Sequence, residues 1–227
     1  MNLVWLNDIH LEFLGDRSRQ AFLDRLTGHA GDALLIAGDT AVAETIVDTL
    51  AAIASSVACP VYFVLGNHDF YHGSIVGVRA AVRTGCANNE RLHWLSETGA
   101  VRLSDTVSLV GHDGWGDARL GDPVGSPVLL NDFALIRELA GLPRPELLSR
   151  LRALGDEAAA HISRALDEAI PGAEHVIVLT HVPPFVGAAW HQGRPSDKDY
   201  VPFFACKAVG DVLLTTMQRN PGKRMTV

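Results

Sequence analysis

Short apolar runs separated by polar turns set the rhythm of this chain. Residues 3–6, 33–37, 61–65 and 176–179 are almost wholly apolar, and each leads directly into polar residues. Runs of that length, closed by turn chemistry, predict strands buried on both faces. The stretches between them keep a different period. Residues 17–26 carry Phe22, Leu23 and Leu26 at helical spacing with charges on the other face; residues 44–57 do the same with Ile46, Val47, Leu50 and Ile53 before Cys59-Pro60 ends the pattern. Strand, helix, strand, helix, strand is the sequence form of a parallel sheet joined by right-handed crossovers.

Residues 75–82 predict another helix, broken by Gly85-Cys86-Ala87-Asn88-Asn89. The middle of the chain then changes character. Residues 92–95, 100–103 and 107–110 are short apolar runs between turn residues, the pattern of an antiparallel meander, and they predict a second, mixed sheet. The polar, glycine-rich loop 111–119 is expected on the surface or as a site wall. From Pro145 a long helix holds Leu147, Leu148, Leu151, Leu154, Ala158, Ile162, Leu166 and Ile170 on one stripe and stops at Pro171-Gly172. A polar stretch, 183–202, leads to a last helix at 205–219, and residues 224–227 open a further strand. No repeat or linker interrupts the pattern, so residues 1–227 are read as a single α/β domain.

The turns that leave the strands share a composition. Asn7-Asp8-Ile9-His10, Gly38-Asp39-Thr40, Gly66-Asn67-His68-Asp69 and Thr180-His181 each follow one of the four buried runs. Asp8, His10, Asp39, Asn67, His68 and His181 therefore gather at one sheet edge, at the carboxyl ends of strands, where open α/β sheets keep their ligands. Hard oxygens and imidazoles suit divalent metals. A single Gly-Asp is an ordinary turn and a lone histidine an ordinary loop residue, but four strands that all end in donors have one economical explanation. Asn67, His68 and Asp69 are three polar groups in succession after five apolar residues, and such groups must find partners or reach solvent. His29, His93, His161 and His175 lack a second donor nearby and fit surface or packing roles; His72, His112 and His191 fall in loops, as spectators beside a site.

Charge and cysteine content narrow the class. A net charge of -7 disfavours a broad basic face for nucleic acid. Cys59, Cys86 and Cys206 are odd in number and outside any CxxC, which fits free thiols in a reducing compartment. The first eight residues have no basic start and reach a carboxylate after four apolar positions, so neither a signal peptide nor a membrane span is expected. The expected setting is cytoplasmic, with a small molecule and not nucleic acid as the partner.

These residues resemble the calcineurin-like metallophosphoesterases, whose signature runs Asp-x-His, Gly-Asp, Gly-Asn-His-Asp/Glu, a lone His and Gly-His-x-His. Asp8-Ile9-His10, Gly38-Asp39, Gly66-Asn67-His68-Asp69 and His181 match four blocks in order. Asp113-Gly114-Trp115 and Lys207-Ala208-Val209-Gly210-Asp211 also look like bacterial members. The resemblance implies a four-layer fold, a two-sheet mixed β-sandwich flanked by helices. It implies two divalent ions (Mn, Fe, Zn or Co), with Asp8 and His10 on the first, Asp39 bridging, Asn67 and His181 on the second, and His68 on the phosphate. The expected reaction is hydrolysis of a phosphomonoester or phosphodiester by a hydroxide that both ions activate. His68, oriented by Asp69, would protonate the leaving oxygen. No Gly-His-x-His occurs, which takes one histidine from each ion. The chain is therefore expected to be a shortened form of a longer protein, with weaker metal sites and a C-terminal strand open to exchange with a neighbouring copy. Two other readings stay open: a nuclease, hinted at by Arg194 and Lys198, and a non-catalytic interaction module on the same fold.

Overall fold

The computed structural model describes residues 1–29, 31–191 and 193–227, the side chain of His191 excepted. Its first sheet is the predicted crossover unit: β1 (Leu3–Leu6), β2 (Ala33–Ala37), β3 (Val61–Val64) and β4 (Leu92–Trp94) lie in that order, all parallel. They are joined by α1 (Asp16–Thr27), α2 (Ile46–Ser56) and α3 (Ile75–Ala87). The second sheet uses β5 (Val101–Arg102), β6 (Val107–His112) and β7 (His175–Thr180). A small antiparallel hairpin of β8 (Trp190–His191) and β9 (Arg194–Pro195) lies outside both sheets, and β10 (Arg224–Thr226) completes the second, whose order is β10-β7-β6-β5. Only β5 runs antiparallel in it. The remaining helices are α4 (Asp132–Leu135), α5 (Arg144–Ala169), α6 (Val201–Phe204) and α7 (Lys207–Arg219).

Alternation within the strands explains the layering. On β2, Leu34 and Ile36 join the apolar cluster that holds Leu50 and Ile53 of α2, whereas Leu35 and Ala37 meet Leu109 and Leu179 of the second sheet. Both faces are buried, so the strand reads as a continuous apolar run. The outer face of the second sheet, with Val110, Val176 and Val178, packs on Ile162 and Leu166 of α5 and Val209 and Leu213 of α7. The order is helices, sheet, sheet, helices, as expected. Helix α5, at 26 residues, is long enough to serve both halves: Leu147 to Leu154 join the first cluster, and Ala158 to Leu166 join the second. No helix among the described residues is long and apolar enough to cross a membrane.

One expectation needs correction. Residues 92–95 do not belong to a meander, because α3 carries the chain back and β4 pairs in parallel with β3. The helix break falls inside the expected stretch 85–89, after Ala87; Gly85 itself stays helical, and a Cβ on it would stand 3.0 Å from Val47 Cγ1. Close packing of α3 on α2 thus outweighs the intrinsic helix cost of glycine, about 1 kcal/mol.

His112, at the end of β6, proves to be a core residue. It is 3% exposed, its ring lies 5.2 Å from that of His161, and its Nδ1 accepts the Gly114 N–H, which places the ring proton on Nε2. Burial holds its pKa down to about 4 against an ordinary 6.5. The folded value lies below the unfolded one, so its effect on stability is absent above pH 6.5 and develops as pH falls toward 4. We expect His112 to cost the fold about 2 kcal/mol between pH 7 and 5. Denaturant titrations at the two pH values check this, with His112→Asn flattening the slope; an unchanged slope would place the acid sensitivity elsewhere.

Candidate metal centre

The expected donors arrive from two facing sheets and not from one edge of a single sheet. β1, β2 and β3 deliver Asp8, His10, Asp39, Asn67 and His68, and β7 of the second sheet delivers His181. The loops that carry them are tied together through the backbone. The N–H groups of Asp8, His10 and Leu11 donate to the carbonyls of Gly38, Asp39 and Thr40, extending the β1–β2 pairing past the strands. Asp8, His10 and Asp39 all have left-handed φ, at 49°, 43° and 51°. Three non-glycine residues in that region, all at one place, mark a functional site where the surroundings hold a strained backbone. Gly38, at φ 91°, and Gly66 let these loops approach, since a Cβ on either would collide with the other loop.

Two sets of donors emerge. Ligand atoms of His10, Asp39 and His68 lie within 4.8 Å of one another, and so do those of Asp8, Asp39 and His181. Asp39 belongs to both: Oδ2 is 3.7 Å from His10 Nε2, and Oδ1 is 3.5 Å from His181 Nε2. The two groups put His68 beside His10 and Asp8 beside His181, all four around Asp39. His181 Nδ1 donates to the Ala37 carbonyl at 2.8 Å, and Nε2 faces Asp39 Oδ1 at 3.5 Å and Asn67 Oδ1 at 3.2 Å. Burial lowers the His181 pKa, but the Asp39 and Asp8 carboxylates outweigh it and the net shift is upward.

Asp69 does not orient His68. Its carboxylate is fully buried and accepts three backbone N–H groups, from Thr40 (2.9 Å), Ala41 (2.8 Å) and Gly66 (2.8 Å). It braces the loops after β2 and β3 against each other. Burial and the neighbouring Asp39 push its pKa up to about 7, against the pull of those donors. The residue that does face His68 is Glu12, which sequence reasoning missed. Glu12 Oε1 is 2.9 Å from His10 Nδ1 and 3.5 Å from His68 Nδ1, and Oε2 is buried without a partner. A carboxylate behind two imidazoles fixes their tautomers and their direction.

Asn67 is held in the same way by residues far along the chain. Its Nδ2 donates to Asp132 Oδ1 (2.9 Å) and to the Tyr71 hydroxyl (3.0 Å), and Tyr71 itself donates to Asp132 Oδ1 (2.7 Å). These bonds fix which end of the amide is oxygen and aim it at His181. Burial raises the Asp132 pKa, while the Tyr71 and Asn67 hydrogen bonds oppose the shift. Farther back, Asp113 accepts from Leu65 N, Trp94 Nε1 and Ser96 Oγ and secures the end of β3; the 111–119 loop is largely buried, and its Gly114, Trp115 and Gly116 form part of the site wall. His112 stays in the core and His72 is exposed; neither enters a donor group among the described residues, and the side chain of His191 lies outside them.

The donors open into a cavity of about 490 Å³ whose polar side includes Asp8, Asp39, Asn67, Asp132, His68 and His181. Among its described lining residues there is no Lys or Arg to balance the carboxylates. Converging oxygens and imidazoles, a shared Asp39 and the absence of a protein cation make a donor set that fits divalent ions.

A family model described as calcineurin-like phosphoesterase matches residues 1–212. Among solved structures the chain is similar to the phosphopantetheinyl hydrolase of Mycobacterium tuberculosis, at a TM-score of 0.65 and 15% identity over 98% of this chain and 79% of that one. It is also similar to a dimetal phosphatase from Danio rerio, at a TM-score of 0.55 and 12% identity over the same shares. No curated protein sequence matches the chain. At these identities the two structures establish the shared fold.

Proposed function

We propose a specific reaction for this chain, which belongs to the calcineurin-like phosphoesterase family: hydrolysis of a phosphomonoester or phosphodiester of a small molecule in the cavity beside Asp39. Metal-dependent phosphoester hydrolysis is the general activity of the family. The observation that carries the specific reading is the membership of Asp39 in both donor groups, with one oxygen toward each. Divalent ions bound there, of the Mn, Fe, Zn or Co type, supply Lewis acidity toward water and the phosphoryl oxygens. The roles of the side chains follow from their surroundings. Asp39 holds both sides together, and Asp8, His10 and His181 complete the grip. Asn67 offers a carbonyl oxygen without adding negative charge, which favours an anionic substrate. His68, with Nδ1 toward Glu12, keeps Nε2 for the substrate and is the candidate to protonate the leaving oxygen.

Calorimetric titration with Mn²⁺, followed by a screen of phosphomonoesters and phosphodiesters, tests the reading. Tight divalent binding with turnover is the expected result, whereas a chain that binds no divalent ion tightly would be an interaction module. The nuclease alternative predicts binding to DNA or RNA with a steep salt dependence. Its two basic residues do not line the cavity, and Lys198 lies within 3.9 Å of both Asp122 and Asp199.

A further inference from the structure

The wall of the cavity opposite the donors has a chemistry of its own. It is formed by Trp115, Leu130, Trp190, Phe203 and Phe204, and the titratable groups on the polar side are three aspartates, two histidines and Tyr71. Arg144, near this wall, does not line the cavity; its guanidinium lies over the Phe203 ring at 5.5 Å and donates to the Ser126 carbonyl. A second phosphate, carboxylate or sulfonate placed against this wall would lose water and meet no Lys or Arg among the described lining residues.

Trp190 adds a second, independent observation. Its side chain is 59% exposed, yet Nε1 donates to the Gly187 carbonyl at 2.8 Å, so the indole is held in one direction at the cavity wall. An exposed aromatic plane fixed beside polar donors is a stacking surface, and flat apolar groups gain most from it.

We infer that the site selects esters with a single phosphoryl group on a neutral aromatic alcohol, the phosphoryl end toward Asp39 and the ring against Trp190 and Phe204. This rests on the phosphoesterase reading above and specifies its substrate class. It disfavours polyphosphates and bisphosphates as substrates, because their additional anions find no Lys or Arg among the described lining residues.

Non-hydrolysable phosphonates separate the two levels of the argument. Methylphosphonate, benzylphosphonate and 4-sulfobenzylphosphonate share the phosphoryl mimic and differ in what reaches the wall. Binding of each to the full chain in Mn²⁺ is measured by calorimetry. Benzylphosphonate is expected to bind about tenfold more tightly than methylphosphonate, from stacking and apolar burial. The sulfonated ring is expected to lose that advantage. Trp190→Ala, an exposed position, should weaken benzylphosphonate about 3- to 10-fold and leave methylphosphonate unchanged. Equal binding of the neutral and sulfonated rings, or an equal effect of Trp190→Ala on all three, would overturn the substrate inference while leaving the phosphoesterase reading intact. Failure of methylphosphonate to bind in Mn²⁺ would overturn both.

Discussion

Asp39→Asn is expected to lower kcat/KM by at least about 10³-fold, roughly 4 kcal/mol of transition-state stabilisation, and to reduce the bound divalent ions from two to one or none. Asparagine is the informative replacement. It tolerates the left-handed backbone at φ 51° better than alanine, and its Oδ1 can still accept the His68 N–H that Asp39 Oδ1 accepts at 2.9 Å. What it removes is the charge and the second anionic oxygen. The ion-free variant should stay folded, because relief of the repulsion between Asp39 and the buried Asp69 offsets the lost attraction between Asp39 and His181. Loss of ions without loss of folding therefore isolates the bridging role. His68→Ala is the companion: ion content kept, turnover slowed by about 10² to 10⁴. Two tightly held ions in Asp39→Asn, or an emptied centre in His68→Ala, would show that the roles are assigned to the wrong residues.

The parts of this site that the sequence discloses are those with a short-range signature. A buried strand followed at once by Asp, Asn or His is legible because apolar runs and turn chemistry are local, and all six expected donors come from such turns. Placement across two sheets is not local: His181 reaches Asp39 only because β7 packs over β2 through Leu35, Ala37 and Leu179. Asp132 is beyond reach of any pattern. It lies 65 residues from Asn67, on the four-residue helix α4, and nothing in its neighbourhood distinguishes it from a surface aspartate. Glu12 did leave a trace, as a carboxylate two residues after His10, but the left-handed turn at His10 that folds it back is a tertiary outcome. The antiparallel reading of residues 92–95 failed for a similar reason, since strand direction follows from where α3 ends and not from the strand's own residues.

The misassignment of Asp69 has a measurable counterpart. Asp69→Ala is expected to destabilise the protein by about 3 to 5 kcal/mol, because it leaves the N–H groups of Thr40, Ala41 and Gly66 buried and unpaired, at about 1 to 3 kcal/mol each. Relief of the repulsion with Asp39 offsets part of that, which favours the lower end of the range. Glu12→Gln should behave in the opposite way. It keeps an oxygen toward His10 and His68 but removes the charge that orients them, so the melting temperature should hold while turnover falls by about 10- to 100-fold. The two variants thus separate a brace from a positioning residue. If Asp69→Ala melts with the parent and only turns over slowly, while Glu12→Gln is indistinguishable from the parent in rate, then Asp69 acts on His68 after all. The distances argue otherwise: every hydrogen bond Asp69 makes goes to the loops that hold the donors in place, and the carboxylate facing the rings belongs to Glu12.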